Sequence, residues 1–275
     1  MTALSETSIS SQVNGMNMTA NLLNGRRVLV VGALGAIGSG VCAAMSAAGA
    51  VVVRADLRDG RAEQRTLDAE YSGERHDGDH TIAMDATDEA SVASAFTAAG
   101  HITDVVNTVG KLSVGPIAKT SLAEFSDALG ANLTAAFLIG REASRCLEPG
   151  GTLTFVASQA GYRAGANWGV YCAGKAGVLR LSEALAQELG PRGVRVNAVC
   201  PGSVETPMLE EVCARLARLE GGTAQDVMTR YLRSIPMGRL ATPREVGDVC
   251  VFLASPLAAY VSGSALPVDG GEISA

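Results

Sequence analysis

The sequence predicts a single α/β domain, a doubly wound parallel sheet of about seven strands with helices on both faces. Three observations predict it. Short β-branched apolar runs alternate with alanine- and leucine-rich helical stretches along most of the chain. A glycine-rich stretch falls between the first strand-like run and the first helix-like one. No shift of composition divides the 275 residues, a length that one large domain can hold.

The strands are expected at 28–31, 50–55, 80–84, 104–107, 152–158, 194–199 and 265–268, where Val, Ile, Leu, Phe and Thr cluster. Helical patterns fill the gaps at 36–48, 61–71, 87–99, 121–147, 168–189, 207–233 and 243–253. Asp88 and Glu89 start the third of these, and Pro243, Arg244 and Glu245 start the last. From Val28 to Val53 there is no charged residue, which imitates a membrane span. Glycines at 32, 35, 38, 40 and 49 break that run into strand, helix and strand, as expected where parallel strands are covered on both faces.

Composition excludes several functions. A net charge of −6, with no basic run longer than Arg26-Arg27, argues against nucleic-acid binding. The six cysteines, at 42, 146, 172, 200, 213 and 250, form no Cys-x-x-Cys pair and read as reduced residues of a cytoplasmic protein. His76, His80 and His101 share no ligand spacing with them, so no metal site is expected. Residues 1–24 are rich in Ser, Thr and Asn and hold no Lys or Arg. They read as a disordered leader and not as a targeting peptide, which leaves 25–275 as the domain.

In such sheets ligands bind outside the carboxyl ends of the strands, where strand order reverses. The loop Gly32-Ala33-Leu34-Gly35-Ala36-Ile37-Gly38 lies there, and its missing side chains let backbone amides and a helix N-terminus approach a pyrophosphate. Asp56 follows Gly32 by 24 residues at the end of strand two. A carboxylate at that place accepts hydrogen bonds from both adenosine ribose hydroxyls and repels a 2′-phosphate, which favours NAD over NADP. Arg54 and Arg58 are the counter-evidence. Further on, Tyr171 and Lys175 stand four apart on one helical face, where an ammonium can lower a phenol into working range for proton transfer.

These motifs, taken in order, resemble the short-chain dehydrogenase/reductase family over about residues 25–272. The counterparts are the glycine loop, Asn107-Thr108-Val109-Gly110, Asn132, Ser158 thirteen residues before Tyr171, the Tyr171/Lys175 pair, Pro201-Gly202-Ser203-Val204-Glu205-Thr206, and Val268-Asp269-Gly270-Gly271. The resemblance implies a Rossmann-like oxidoreductase in which Tyr171 is general acid and base and Ser158 holds the substrate oxygen. Lys175 lowers the phenol and grips the nicotinamide ribose, and Asn132 holds a water linking Lys175 to solvent. It further implies that NAD is held by Gly32, Gly35, Ile37, Gly38, Asp56, Leu57, Asp85, Ala86, Asn107, Val109, Tyr171, Lys175, Pro201, Gly202, Val204 and Thr206, and that the protein is a homotetramer. Asp85 has a second reading, a carboxylate stabilising the helix from Thr87.

Two departures from the family pattern stand out. Ala36 replaces the usual middle glycine, which strains the loop if that position is left-handed and does not if Gly35 takes its place. Thr108 and Val109 replace Asn and Ala beside the cofactor's adenosine half.

On the substrate side Leu112, Gln159, Trp168 and Met208 are the candidates, with Val204 and Leu209 adding apolar wall and Arg163 a polar contact. Trp168 reads equally well as core packing. The helical region 207–237 reads as a lid. The leading expectation is an NAD-dependent alcohol dehydrogenase or ketoreductase acting on a small to medium, partly apolar secondary alcohol or ketone. The rivals are an NADPH-dependent 3-oxoacyl-type reductase, which Asp56 disfavours, and a catalytically silent dinucleotide sensor or scaffold, which the intact Ser-Tyr-Lys-Asn set disfavours.

Overall fold

The computed structural model describes residues 21–57 and 80–274. The expected leader residues 1–20, the helix at 61–71, Arg58 and His76 lie outside the described residues. The last leader residues belong to the fold, since Leu23 is fully buried and its N–H donates to Ala48 O at 2.8 Å.

The described elements run β1 Arg27–Val31, α1 Ala36–Ala47, β2 Val51–Asp56, β3 His80–Ala83, α2 Glu89–Ala99, β4 Asp104–Asn107, α3 Leu122–Leu129, α4 Ala135–Cys146, β5 Thr152–Val156, α5 Gly169–Leu189, β6 Arg195–Pro201, α6 Pro207–Glu220, α7 Ala224–Ser234, α8 Pro243–Ala254 and β7 Ala265–Val268. The seven strands form one sheet in the order β3-β2-β1-β4-β5-β6-β7, and every neighbouring pair is parallel. Strand order reverses between β1 and β4, with Val31 registered against both Ala55 and Asn107. A ligand crevice therefore opens above the β1–β4 junction.

Alternation along the strands builds two cores. Leu29, Val31, Val53 and Val105 face α2, α4 and α5, while Val28, Val30, Val52 and Val106 face α1 and α8. The α1–α8 contact is close because glycines meet there, and a Cβ on Gly247 would lie 2.7 Å from Gly40 O. A third, smaller core joins α6 and α7 to Leu112.

Two expected helices are interrupted. The stretch 121–147 is α3 and α4 joined by a π turn, Gly130–Thr134, in which Ala135 N–H reaches back to Gly130 O. The stretch 207–233 is two helices, because Gly221 and Gly222 take φ of +80° and +109° and end α6. Among the described residues one helical stretch, Leu122–Cys146, has the length and mean hydropathy (1.2) of a membrane span. It buries Asn132 and Glu142, and its α4 half packs on β4 and β5 as a core helix does.

Candidate active site

The glycine loop keeps its shape through two residues. Gly32 takes φ +79°, and a Cβ there would lie 2.8 Å from Thr108 Oγ1. A Cβ on Gly38 would overlap Gly32 O. Gly35 has φ −75° and ψ 162° as N-cap, and Ala36 opens α1, so neither is left-handed and Ala36 carries no strain. Thr108, the departure from the family's Asn, donates its hydroxyl to Val31 O (2.8 Å) and Gly32 O (3.0 Å), tying β4 to the loop. Substituting Gly38→Ala is expected to force the loop from its path, lowering stability by about 1–3 kcal/mol in thermal unfolding and weakening dinucleotide binding.

The α1 N-terminus that the loop feeds has no side-chain cap and no acidic residue in its first turn, so its amides and dipole are free to attract an anion. Asp56 ends β2 beside it, and its Oδ2 accepts from Leu34 N at 2.9 Å, fixing the carboxylate at the mouth of the crevice. Asp85 also lines this crevice, while its Oδ1 accepts from Thr87 N (2.8 Å) and Thr87 Oγ1 (2.7 Å), bonds that hold its carboxyl below the usual range. Asp88, three residues on, caps α2 through Ser91 N. The helix therefore starts at Glu89, and the carboxylate that caps it is Asp88.

Two adjoining cavities result. One, of about 620 Å³, is lined by Gly32, Gly35, Ile37, Gly38, Asp56, Leu57, Asp85, Ala86, Val109 and Thr206. The other, of about 280 Å³, is lined by Leu112, Ser158, Gln159, Trp168, Tyr171, Pro201, Gly202 and Val204. Ile37, Thr206 and Met208 border both. The backbone cradle, the fixed Asp56 carboxylate and the long crevice fit a dinucleotide.

Asn107, Asn132 and Lys175 are buried and line neither cavity. Asn107 Oδ1 accepts from Val109 N, shaping the strand exit. Asn132, 2% exposed and in the middle of the π turn, clamps the next loop, with Nδ2 donating to Lys111 O and Ala128 O and Oδ1 accepting from Lys111 N. Gly110 has to be small because a Cβ would lie 3.1 Å from Lys175 Nζ and 3.2 Å from Asn132 Oδ1.

Tyr171 and Lys175 are one turn apart on α5, with Lys175 Nζ 5.8 Å from the Tyr171 ring centroid and Trp168 edge-on to that ring at 5.7 Å. Ser158 follows β5 and accepts from Ala160 N. The expected lowering of the phenol meets the opposite direction. Burial pushes Tyr171 up to about 12, only partly offset by its hydrogen bond with Ser158. Burial also pulls Lys175, 3% exposed, down to about 8; its ammonium donates to Val156 O at 3.2 Å.

Sequence reasoning missed Glu272, Tyr231 and Val212, which line the smaller cavity. Glu272 directly follows the Gly270-Gly271 turn, whose φ values of +60° and +89° fold the chain after β7 back over the cleft. A carboxylate just past a two-glycine turn at a strand's carboxyl end was the available signal. Thr206, beyond its expected cofactor contact, caps α6 through Leu209 N.

A dinucleotide crevice on a doubly wound sheet, joined to a second cavity bearing a Ser–Tyr pair over a buried lysine, defines a nicotinamide-dependent oxidoreductase. The sequence pattern of the family described as enoyl-(acyl carrier protein) reductase matches residues 32–272. The chain is 36% identical over 256 residues to D-threitol dehydrogenase from Mycolicibacterium smegmatis, covering 90% of this chain and 93% of that one. It is 34% identical to a short-chain type dehydrogenase/reductase from Sinorhizobium fredii over 91% of its own length, but spans only 44% of that longer protein. The crystal structure of levodione reductase superposes with a TM-score of 0.83 at 27% identity, covering 92% of this chain and 99% of the other. The chain belongs to the short-chain dehydrogenase/reductase family.

Proposed function

We propose that the protein is an NAD(H)-dependent dehydrogenase or ketoreductase for small to medium, partly apolar secondary alcohols and ketones. The observation that carries this reading is that Tyr171 and Ser158 line a cavity that shares walls with the glycine-loop crevice. The bound nicotinamide supplies the hydride donor or acceptor. The chain's own residues do the rest. Ser158 holds the substrate oxygen, and Tyr171 gives that oxygen a proton during ketone reduction or takes one during alcohol oxidation. Lys175, beneath the phenol, biases it toward phenolate once substrate and cofactor complete the site. The π turn at Asn132 positions Lys111 and the loop above Lys175, and is the place for a water leading to solvent.

Helices α6 and α7 form the lid, α6 turning Leu209, Val212 and Leu216 to its buried side. We place the protein in the cytoplasm and read it as a homotetramer, the assembly being supported by the exposed apolar side chains Leu122 and Phe137 (47% exposed) on α3 and α4.

Cofactor choice rests on Asp56. Titration with NADH and NADPH, followed by fluorescence, is expected to show tighter NADH binding. Asp56→Ala is expected to weaken NADH by about 10- to 100-fold, the loss of charged hydrogen bonds, and to narrow the gap to NADPH. Tighter binding of NADPH by the unaltered protein would remove the Asp56 argument.

A further inference from the structure

The smaller cavity has an apolar side and an acceptor side. Leu112, Trp168, Leu209 and Val212 form the first. On the second, Glu272 is 4% exposed, its carboxylate held by Ser203 N (3.1 Å) and Ser203 Oγ (3.3 Å), and its backbone O accepts from Arg163 Nη2 at 3.1 Å. A carboxylate has about four acceptor positions, so two remain for a ligand. Gly202 lets it approach, since a Cβ there would lie 2.7 Å from Glu272 Oε2. Gln159, next to Ser158, lines the same cavity, and its Oε1 is buried without a hydrogen-bond partner. Two residues with acceptor capacity to spare thus line a cavity whose volume, about 280 Å³, suits a small molecule.

We infer that the substrate is a vicinal diol or short polyol, or the matching hydroxyketone, whose second hydroxyl donates to Gln159 and Glu272 while the reacting carbinol sits at Ser158 and Tyr171. The inference rests on the oxidoreductase reading for its chemistry. Oxidation moves the carbinol hydride to the oxidised nicotinamide and the hydroxyl proton to the Tyr171 oxygen, and leaves the second hydroxyl unchanged. A simple alcohol of the same skeleton would leave the Gln159 oxygen unpaired and the open positions of the Glu272 carboxylate unfilled. A carboxylate or phosphate at this position would meet the charge of Glu272.

The test uses the full chain with saturating oxidised cofactor and four probes: butane-2,3-diol, butan-2-ol, 3-aminobutan-2-ol and 3-hydroxybutanoate. Trp168 is the chain's only tryptophan and lines the cavity, so its emission reports occupancy independently of turnover. The diol is expected to half-saturate that signal, and to be oxidised, at concentrations at least about 100-fold lower than butan-2-ol. Gln159→Met and Glu272→Gln are each expected to reduce that ratio about tenfold, whatever each does to the absolute rate with butan-2-ol. Should Glu272→Gln fail to fold, Gln159→Met decides alone. A ratio near one, a ratio unmoved by both variants, tighter binding of the amino alcohol or the hydroxy acid, or no emission change with any probe would overturn the diol site. Turnover of butan-2-ol as good as that of the diol would leave the oxidoreductase standing and remove the diol site. A diol preference in emission with no turnover of any probe would do the reverse.

Discussion

Tyr171→Phe is expected to lower turnover by about 10²- to 10⁴-fold, the span of a general acid–base contribution, while leaving NADH binding and the fold in place. The substitution removes one oxygen. The ring keeps its edge-on packing with Trp168 and its place over Lys175, so the protein loses the proposed proton carrier and little else. The pH profile sharpens the prediction. Burial holds the phenol up at about 12, so the base that alcohol oxidation needs becomes more populated as pH rises. Oxidation kcat/KM should therefore climb through the alkaline range, while ketone reduction, which uses the protonated phenol, should stay level over the same interval. The Phe variant should lose the climb along with the rate. Measured kcat within tenfold of the unaltered protein would remove Tyr171 from the proposed mechanism.

That Tyr171 and Ser158 share one cavity was legible in the sequence because their roles depend on spacing along elements of fixed geometry. The strands at 104–107 and 265–268 were read to the residue, the first as a Val-Val pair flanked by Asp104 and Asn107 and the second as a short apolar run ending before Asp269. What was not legible depends on long-range packing. The π turn at Gly130–Thr134 follows from a one-residue slip in hydrogen bonding that residue propensities do not encode, although it sets where Asn132 points. The direction of the Tyr171 shift was misread for a related reason. Sequence spacing reports that a cation and a phenol are neighbours, but not that both are so deeply covered that desolvation outweighs their proximity. Glu272 was missed because the chain's return over the cleft after β7 is a matter of topology. By contrast the break of 207–233 was readable at Gly221-Gly222, and the expected continuous helix passed over it. The Ala36 question closed simply, because the position that needs a left-handed glycine is Gly32.

Lys175→Met is expected to make the protein more stable and less active at once. In the folded chain burial lowers the lysine from 10.5 to about 8, so at pH values below 8 the fold carries a buried charge that the unfolded chain keeps in water. At 1.36 kcal/mol per unit the shift corresponds to roughly 3 kcal/mol against the fold. Methionine fills nearly the same space without the charge, and forfeits the hydrogen bond to Val156 O, a loss of about 1 kcal/mol. The net gain is about 2 kcal/mol, which at ~2–4 °C per kcal/mol raises Tm by several degrees. The sign of its pH dependence follows from linkage. Between pH 8 and 10.5 the unfolded chain holds a proton that the folded lysine has released, so the unaltered protein recovers stability as pH rises and the advantage of the variant shrinks toward the loss of the hydrogen bond alone. Cys250 and the other thiols remote from the site are common to both proteins and cancel in the difference, whereas Cys200, whose thiol the Lys175 charge pulls down, rises further in the variant. Paired thermal unfolding at pH 7 and pH 10, with turnover measured beside it, checks both halves. A variant less stable than the parent at pH 7 would mean that contacts of the ammonium, and not its burial, dominate at this position. A lysine kept at such a cost to stability is what a proton-transfer site on this fold requires.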